Sequence, residues 1–187
     1  WLALSAELIA TGWNNIGARA GWDPDDQLRL VQLREFLYGQ SWFDNRQYRM
    51  NIPEGAPMHW SRLIELPLAA IISLLAPMFG QVVAETVAST AVPLMLFGVI
   101  IMFLARTASR VGGNGADIAA AIIAALSVPL IMQLRPMRID HHGWQITMAV
   151  IALASLFHAD ARKAGVVLGT ALAIWLHISL EGVPMSA

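Results

Sequence analysis

The densest run of chemically capable side chains is Arg135-Pro136-Met137-Arg138-Ile139-Asp140-His141-His142, which opens a long apolar segment. An aspartate and a histidine two positions apart offer a carboxylate oxygen and an imidazole nitrogen to one divalent cation. Oxygen-rich ligation favours Mg²⁺ or Mn²⁺, and an added imidazole tilts the choice toward Mn²⁺. Ionisable residues clustered at a membrane boundary are functional candidates by default. The plainer alternative leaves Asp140 as a helix cap and the histidines as interfacial residues. A second acidic group, Asp23, Asp25 and Asp26, lies far upstream. Alone it reads as a helix N-terminus; on the same face as Asp140 and His142 it would complete a carboxylate-rich metal site. The pairs Arg29/Arg34 and Arg46/Arg49 can grip phosphate or serve as solvated loop charge. His59, His158 and His177 are isolated and read as interfacial or packing residues. Met95, Met102, Met132 and Met148 read as packing within apolar helices.

These groups need elements to position them. Asp23-Pro24-Asp25-Asp26 is a strong helix start, with an aspartate cap, a proline at the first helical position and acids in the first turn. Leu30, Leu33, Phe36 and Leu37 then recur at helical spacing, and Gly39 can end the helix. Residues 41–60 mix aromatics, charges and Pro/Gly and read as a structured loop, long enough to suggest a functional role. Apolar helices are expected at 62–80, 82–107, 114–135, 142–158 and 164–181. Residues 1–22, with Trp1, Trp13 and Trp22, read as the end of a preceding span or an interfacial piece.

Composition sets the class. Of 187 residues, 57% are hydrophobic and 13% charged, and mean hydropathy is +0.57. Soluble domains carry about a quarter charged residues, so disorder is excluded and the balance argues against an ordinary soluble domain. Fourteen of the 12 basic and 13 acidic residues fall within 1–65. The stretches 66–84, 86–105, 118–134, 141–159 and 164–180 carry no Asp, Glu, Lys or Arg, each about the length of a bilayer-spanning helix. The chain therefore reads as an all-α polytopic membrane protein with a polar N-terminal third. A net charge of −1 argues against nucleic acid, and the lack of cysteine excludes disulfides and thiolate metal sites. No phosphate-cradling glycine loop, Ser-His-Asp order or HExxH motif occurs. With no basic n-region before the first apolar stretch, the chain is expected to be a piece of a longer protein.

Topology follows from charge and parity. Arg106 and Arg110, then Arg162 and Lys163, flank span ends and place those breaks on the cytoplasmic side. The 135–140 loop then faces the opposite side. Three apolar segments separate Asp23–Asp26 from Asp140, so a shared site requires one of them not to cross. Residues 62–80, expected to be broken by Pro67 and Pro77 and ending in Gly80, are the natural candidate.

Three motifs carry a family resemblance. Asp23-Pro24 followed by Arg29 resembles the Asp-Pro-x-x-x-x-Arg signature of the first external loop of oligosaccharyltransferase catalytic subunits. Trp42-Phe43-Asp44-Asn45-Arg46 is similar to the Trp-Phe-Asp-Asp-Arg run later in that loop. Asp140-His141-His142 resembles the Asp-His-His form of the second-loop motif. The resemblance runs from about residue 22 onward. It implies a C-type glycosyltransferase-like helix bundle in which 23–80 form a structured first external loop and 81–187 about four spans. It implies Asp23, Asp140 and His142 around Mn²⁺ or Mg²⁺, with Asp23 catalytic, and substrate or phosphate contacts from Arg29, Arg46, Arg138 and His141. The reaction implied is transfer of a sugar or oligosaccharide from a polyprenyl-(pyro)phosphate donor to an acceptor, in a bacterial or archaeal plasma membrane with external active loops. The family's Trp-Trp-Asp acceptor motif does not occur in these residues, so the acceptor is not fixed and this piece alone is expected to be inactive.

Two rival readings remain at this stage. One is a transferase of the same fold that glycosylates a lipid or polymer. The other is a non-catalytic membrane subunit packed against other membrane subunits, which predicts no metal dependence. A transporter fits less well, because its ionisable residues belong at mid-membrane and these cluster at segment ends.

Overall fold

The computed structural model describes residues 1–183. Its nine helices among the described residues are α1 (Leu2–Thr11), α2 (Trp13–Ala18), α3 (Pro24–Leu37), α4 (Glu65–Phe79), α5 (Gln81–Gly112), α6 (Ala116–Leu126), α7 (Val128–Leu134), α8 (His142–Ser155) and α9 (Ala161–Ile178). Two-residue strands β1 (Arg46–Gln47) and β2 (Ala56–Pro57) pair antiparallel and pin the 41–60 loop. The chain is thus mostly helical, and the apolar helices mark it as a membrane protein.

Helix α5 is the central post. It packs against α4, α6 and α8, and α9 packs on α8. The fully buried Ala84 and Ala88 share one face of α5 with the buried Ser89, and Leu68 and Ile72 of α4 join them in the core. Small side chains let helix backbones approach closely, which is how apolar helices gain packing where lipid is as apolar as leucine. Phe97, Ile100 and Leu134 complete this core with no exposed surface.

By length and composition alone, Arg62–Phe79, Gln81–Gly112 and Ala161–Ile178 can each cross a membrane. The predicted helix 114–135 is not one rod: it breaks at Ser127 and bends by 63° between α6 and α7. Pro129 explains the break, since it cannot donate into the preceding turn and sits in the first turn of the new helix. Helix α8 stops at Ser155, making 14 residues, about 21 Å at helical rise and short of a hydrocarbon core of about 30 Å. Pro67 and Pro77 do not break α4, which is continuous from Glu65 to Phe79 because the prolines lie near its ends.

The bundle has two distinct ends. At one, Met137 N–H donates to Ser89 O at 2.9 Å, and Gln145 of α8 bonds Glu181 just beyond α9. At the other, Arg110 near the end of α5 donates to Phe157 O beyond α8. The start of α4 and the second turn of α5 both lie beside α3. Glu65 pairs with Arg29 at 3.3 Å, and Glu85, just past the Gly80 turn, pairs with Arg34 at 2.6 Å. Arg29 and Arg34 are about 7.5 Å apart along their helix. Helices α1 and α2 form the N-terminal segment, where Trp1 Nε1 donates to Leu94 O of α5 at 2.7 Å.

Candidate metal centre

Helix α3 brings the two acidic segments together. Its first turn forms a capping box: Asp23 Oδ1 accepts from the N–H groups of Asp25 and Asp26, and Asp26 Oδ2 accepts from Asp23 N–H. Asp26 does more than cap. Its Oδ2 also accepts from Trp22 N–H at 2.8 Å and Arg138 Nη1 at 3.1 Å, while its Oδ1 accepts from Ile139 N–H at 2.9 Å and Asp140 N–H at 3.1 Å. One carboxylate, 2% exposed, therefore joins the start of α3 to the 138–140 strap. Trp22 Nε1 adds a bond to Pro136 O, and its ring carries the Arg135 guanidinium 3.2 Å above its centre.

Arg138 is the hub of the carboxylates. Its Nη1 bonds Asp23 and Asp26, and its Nη2 lies 3.6 Å from Asp140 Oδ2. Asp23 and Asp140 thus reach opposite edges of one guanidinium. Arg138 also donates from Nε to Gln133.

The potential ligand atoms of Asp140, His141 and His142 all lie within 4.8 Å of one another. They are not equivalent. His141 Nδ1 meets Asp140 Oδ1 at 2.5 Å and its Nε2 faces Glu181 Oε2 at 3.5 Å, so both ring nitrogens face carboxylates. His142 Nε2 lies 3.4 Å from Asp140 Oδ2, with its side chain 37% exposed. That Asp140 oxygen is buried and has no hydrogen-bond partner. Two ligands about 2.1 Å from one octahedral ion sit about 3 Å apart, so this oxygen and nitrogen are spaced as a chelating pair. Burial alone would raise the Asp140 carboxyl. The hydrogen bond and charge of His141, its backbone N–H and His142 outweigh burial and bring the pKa down to about 2. For His141, burial lowers the pKa, and the Asp140 hydrogen bond together with the negative charges of Asp140 and Glu181 more than reverses it.

The remaining residues singled out from the sequence fall into two groups. Arg29 is fully buried beneath Trp60, its guanidinium carbon 4.8 Å from the ring centre, and donates to Ser61 O and Glu65. Trp60 in turn lies 6.2 Å, centre to centre, from His141. Arg46 sits on β1 with its guanidinium on the carbonyls of Glu54 and Gly55; it makes no contact with 138–142. Asp23 has its Oδ2 on Arg138 rather than among the clustered ligand atoms. From sequence, Asp26 is a first-turn acid or, with Asp23 and Asp25, a candidate metal ligand, whereas the structure spends its carboxylate on backbone N–H groups and Arg138; Glu181 and Trp60 are not among the sequence candidates. Only the capping-box spacing of Asp23 and Asp26 hinted at that use of Asp26, and no local signal marks the other two.

The donor set, one unsatisfied carboxylate oxygen beside one accessible imidazole, suits a divalent cation that accepts mixed oxygen and nitrogen ligands. Comparison with protein-family models, curated proteins and solved structures finds no match.

Proposed function

We propose that this chain is the membrane portion of a glycosyltransferase that takes a sugar or oligosaccharide from a polyprenyl-(pyro)phosphate donor. In this reading Asp140 and His142 hold Mn²⁺ or Mg²⁺, and Asp23 lies across the Arg138 guanidinium from them. The observation that carries it is the orphaned Asp140 Oδ2, 3.4 Å from His142 Nε2, on the same guanidinium as Asp23. A divalent ion there would neutralise charge developing on a phosphate leaving group.

The chain's own groups have separate tasks. Arg138 holds Asp23 and Asp140 at a fixed separation. Asp23, whose side chain is 35% exposed, orients an acceptor and takes its proton. His141 fixes the Asp140 rotamer through Oδ1 and leaves Oδ2 without a hydrogen bond, 3.6 Å from Arg138 Nη2. Arg29, closed off by Trp60, acts on the site through its positive charge rather than by touching substrate. This reading requires that α4 not cross the membrane, so that Asp23 and Asp140 share one side. The basic far end of the bundle then faces the cytoplasm and the Asp140 end faces outward.

The test is sugar transfer from a polyprenyl-linked donor by the intact protein carrying Asp140→Ala or Asp23→Ala. Loss of transfer in both supports the assignment. Near-normal rates in both would sink it.

A further inference from the structure

At the end of the bundle opposite Asp140, a cavity of about 270 Å³ lies between α5, α8 and α9. Phe103 of α5, Ala154 of α8 and Val167 of α9 give it carbon walls. The two hydroxyls in its lining are already spent on their own helices. Thr107 Oγ1 donates to Phe103 O at 2.8 Å, and Ser155 Oγ to Ala152 O at 2.6 Å. A cavity whose walls offer water no bonds holds none, so this space suits hydrocarbon.

The other lining residues are Arg106, Arg110 and His158, and they are open to contact. Arg106 and Arg110 are exposed and one helical turn apart, while His158 is half-buried. Arg110 Nη1 reaches from α5 to Phe157 O, 3.2 Å away beyond the end of α8. His158 Nδ1 accepts from Asp160 N–H at 3.0 Å, so the neutral ring carries its proton on Nε2 and that N–H is left to donate. The turns at this end hold four cations, Arg106, Arg110, Arg162 and Lys163, against two acids, Asp117 and Asp160. Asp160 Oδ1 is occupied in capping α9, and none of the four cations pairs with an acid among the described residues.

An apolar slot with an unpaired basic rim is complementary to an amphiphile with an anionic head. Arginine stems line apolar surface while their heads stay in the polar layer. The same basic residues assign this end to the cytoplasm, the leaflet that carries anionic lipids. A free phosphate would meet the rim and leave the slot empty. A neutral lipid would fill the slot and leave the cations unpaired.

We propose that this cavity is a site for one anionic glycerophospholipid, with an acyl chain against Phe103, Ala154 and Val167 and its phosphate held by Arg106, Arg110 and His158 Nε2–H. It lies at the far end of the bundle from the metal candidates and needs no part of the glycosyl-transfer reading. The intact protein, delipidated in neutral detergent, is titrated with dioleoyl phosphatidylglycerol and, in parallel, with dioleoyl phosphatidylcholine. Native mass spectrometry counts retained lipid and tryptophan fluorescence reports the melt. One phosphatidylglycerol per chain is expected, with a raised thermal midpoint and far weaker retention of the choline lipid. Arg106→Gln with Arg110→Gln should weaken retention about 30-fold; both residues are exposed, so the fold should hold. Val167→Trp, at a position 37% exposed, should displace the chain while leaving every cation in place. Arg162→Gln with Lys163→Gln removes the same charge outside the lining and should cost about threefold or less. Equal retention of the two lipids, equal losses in the two double variants, or retention unmoved by Val167→Trp overturns the proposal. Inorganic phosphate raising the midpoint as much as the lipid also overturns it, because that marks an anion site without a chain.

Discussion

Replacing Asp26 by alanine isolates what joins the two halves of the candidate site. Its carboxylate accepts from four backbone N–H groups and Arg138, and it is 2% exposed. Hydrogen bonds to a charged group contribute about 1.5–3 kcal/mol each. Five such bonds summed would rival the whole stability of a domain, about 5–15 kcal/mol, so they cannot be additive. Burial also works against the ionised carboxyl, while the Trp22 N–H and Arg138 pull the other way. The closer guide is the cost of breaking one partner out of a buried charged pair, about 3–5 kcal/mol. For a chain of this size each kcal/mol moves the thermal midpoint by about 2–4 °C, giving a fall of about 6–20 °C. The assay is tryptophan fluorescence on heating in detergent, paired with hydrogen exchange at the amides of Ile139 and Asp140. Those two amides should exchange faster by a larger factor than the α5 core. Asp25→Ala is the control: its side chain accepts no bond, so it should cost only about 0.3–1 kcal/mol through the helix dipole. Unchanged exchange at Ile139 and Asp140 in Asp26→Ala would refute the reasoning, because the strap would then be held by something else.

Further outcomes follow from the same geometry. Arg34→Met strands the buried Glu85 carboxylate and should destabilise by about 3 kcal/mol, read as a lower thermal midpoint; Glu85→Gln in the same background should recover part of it. Gly143→Ala puts a methyl 3.0 Å from a Leu134 methyl and 3.2 Å from Gln133 O. That is overpacking, expected to cost about 1–3 kcal/mol and measurable in the same melt. In the metal-free protein, Asp140 is held at about 2 against an ordinary 3.8. A depressed carboxyl contributes stability that is present above its unfolded value and lost as pH falls. The melting temperature should therefore drop between about pH 4 and pH 2, and Asp140→Asn should flatten that part of the curve. His141, raised above 6.5, contributes in the opposite sense: its stabilisation is complete below that value and fades as pH rises through the folded pKa.

Much of the frame was legible in the residues because it rests on local rules. The α3 start was readable from Asp23-Pro24 because capping needs only neighbours. Gly39 follows that helix at a φ of +106°, a conformation glycine adopts without strain. The charge-free stretches located α9 to within about three residues and the middle of α5, whose ends run five and seven residues further. The break at Ser127 was legible in principle from Pro129, but the apolar run hid it, since a bent pair and a straight rod have the same composition. The gathering of Asp23 and Asp140 followed from parity only by assuming a shared site. What could not be read was which acid does the joining. Asp26 differs from Asp25 only in facing inward, and that is decided by where 138–140 lands. Trp60 and Glu181 become relevant through contacts across about 80 and 40 residues of chain, which no spacing rule encodes.

The central claim is that Asp140 and His142 hold a divalent cation, and Mn²⁺ titration followed by electron paramagnetic resonance tests it most directly. The account predicts one bound Mn²⁺ per chain, weakened by about 10-fold or more in Asp140→Asn and in His142→Ala, with Arg46→Ala unchanged. Mn²⁺ binding that is absent from the intact protein, or indifferent to both substitutions, would contradict it.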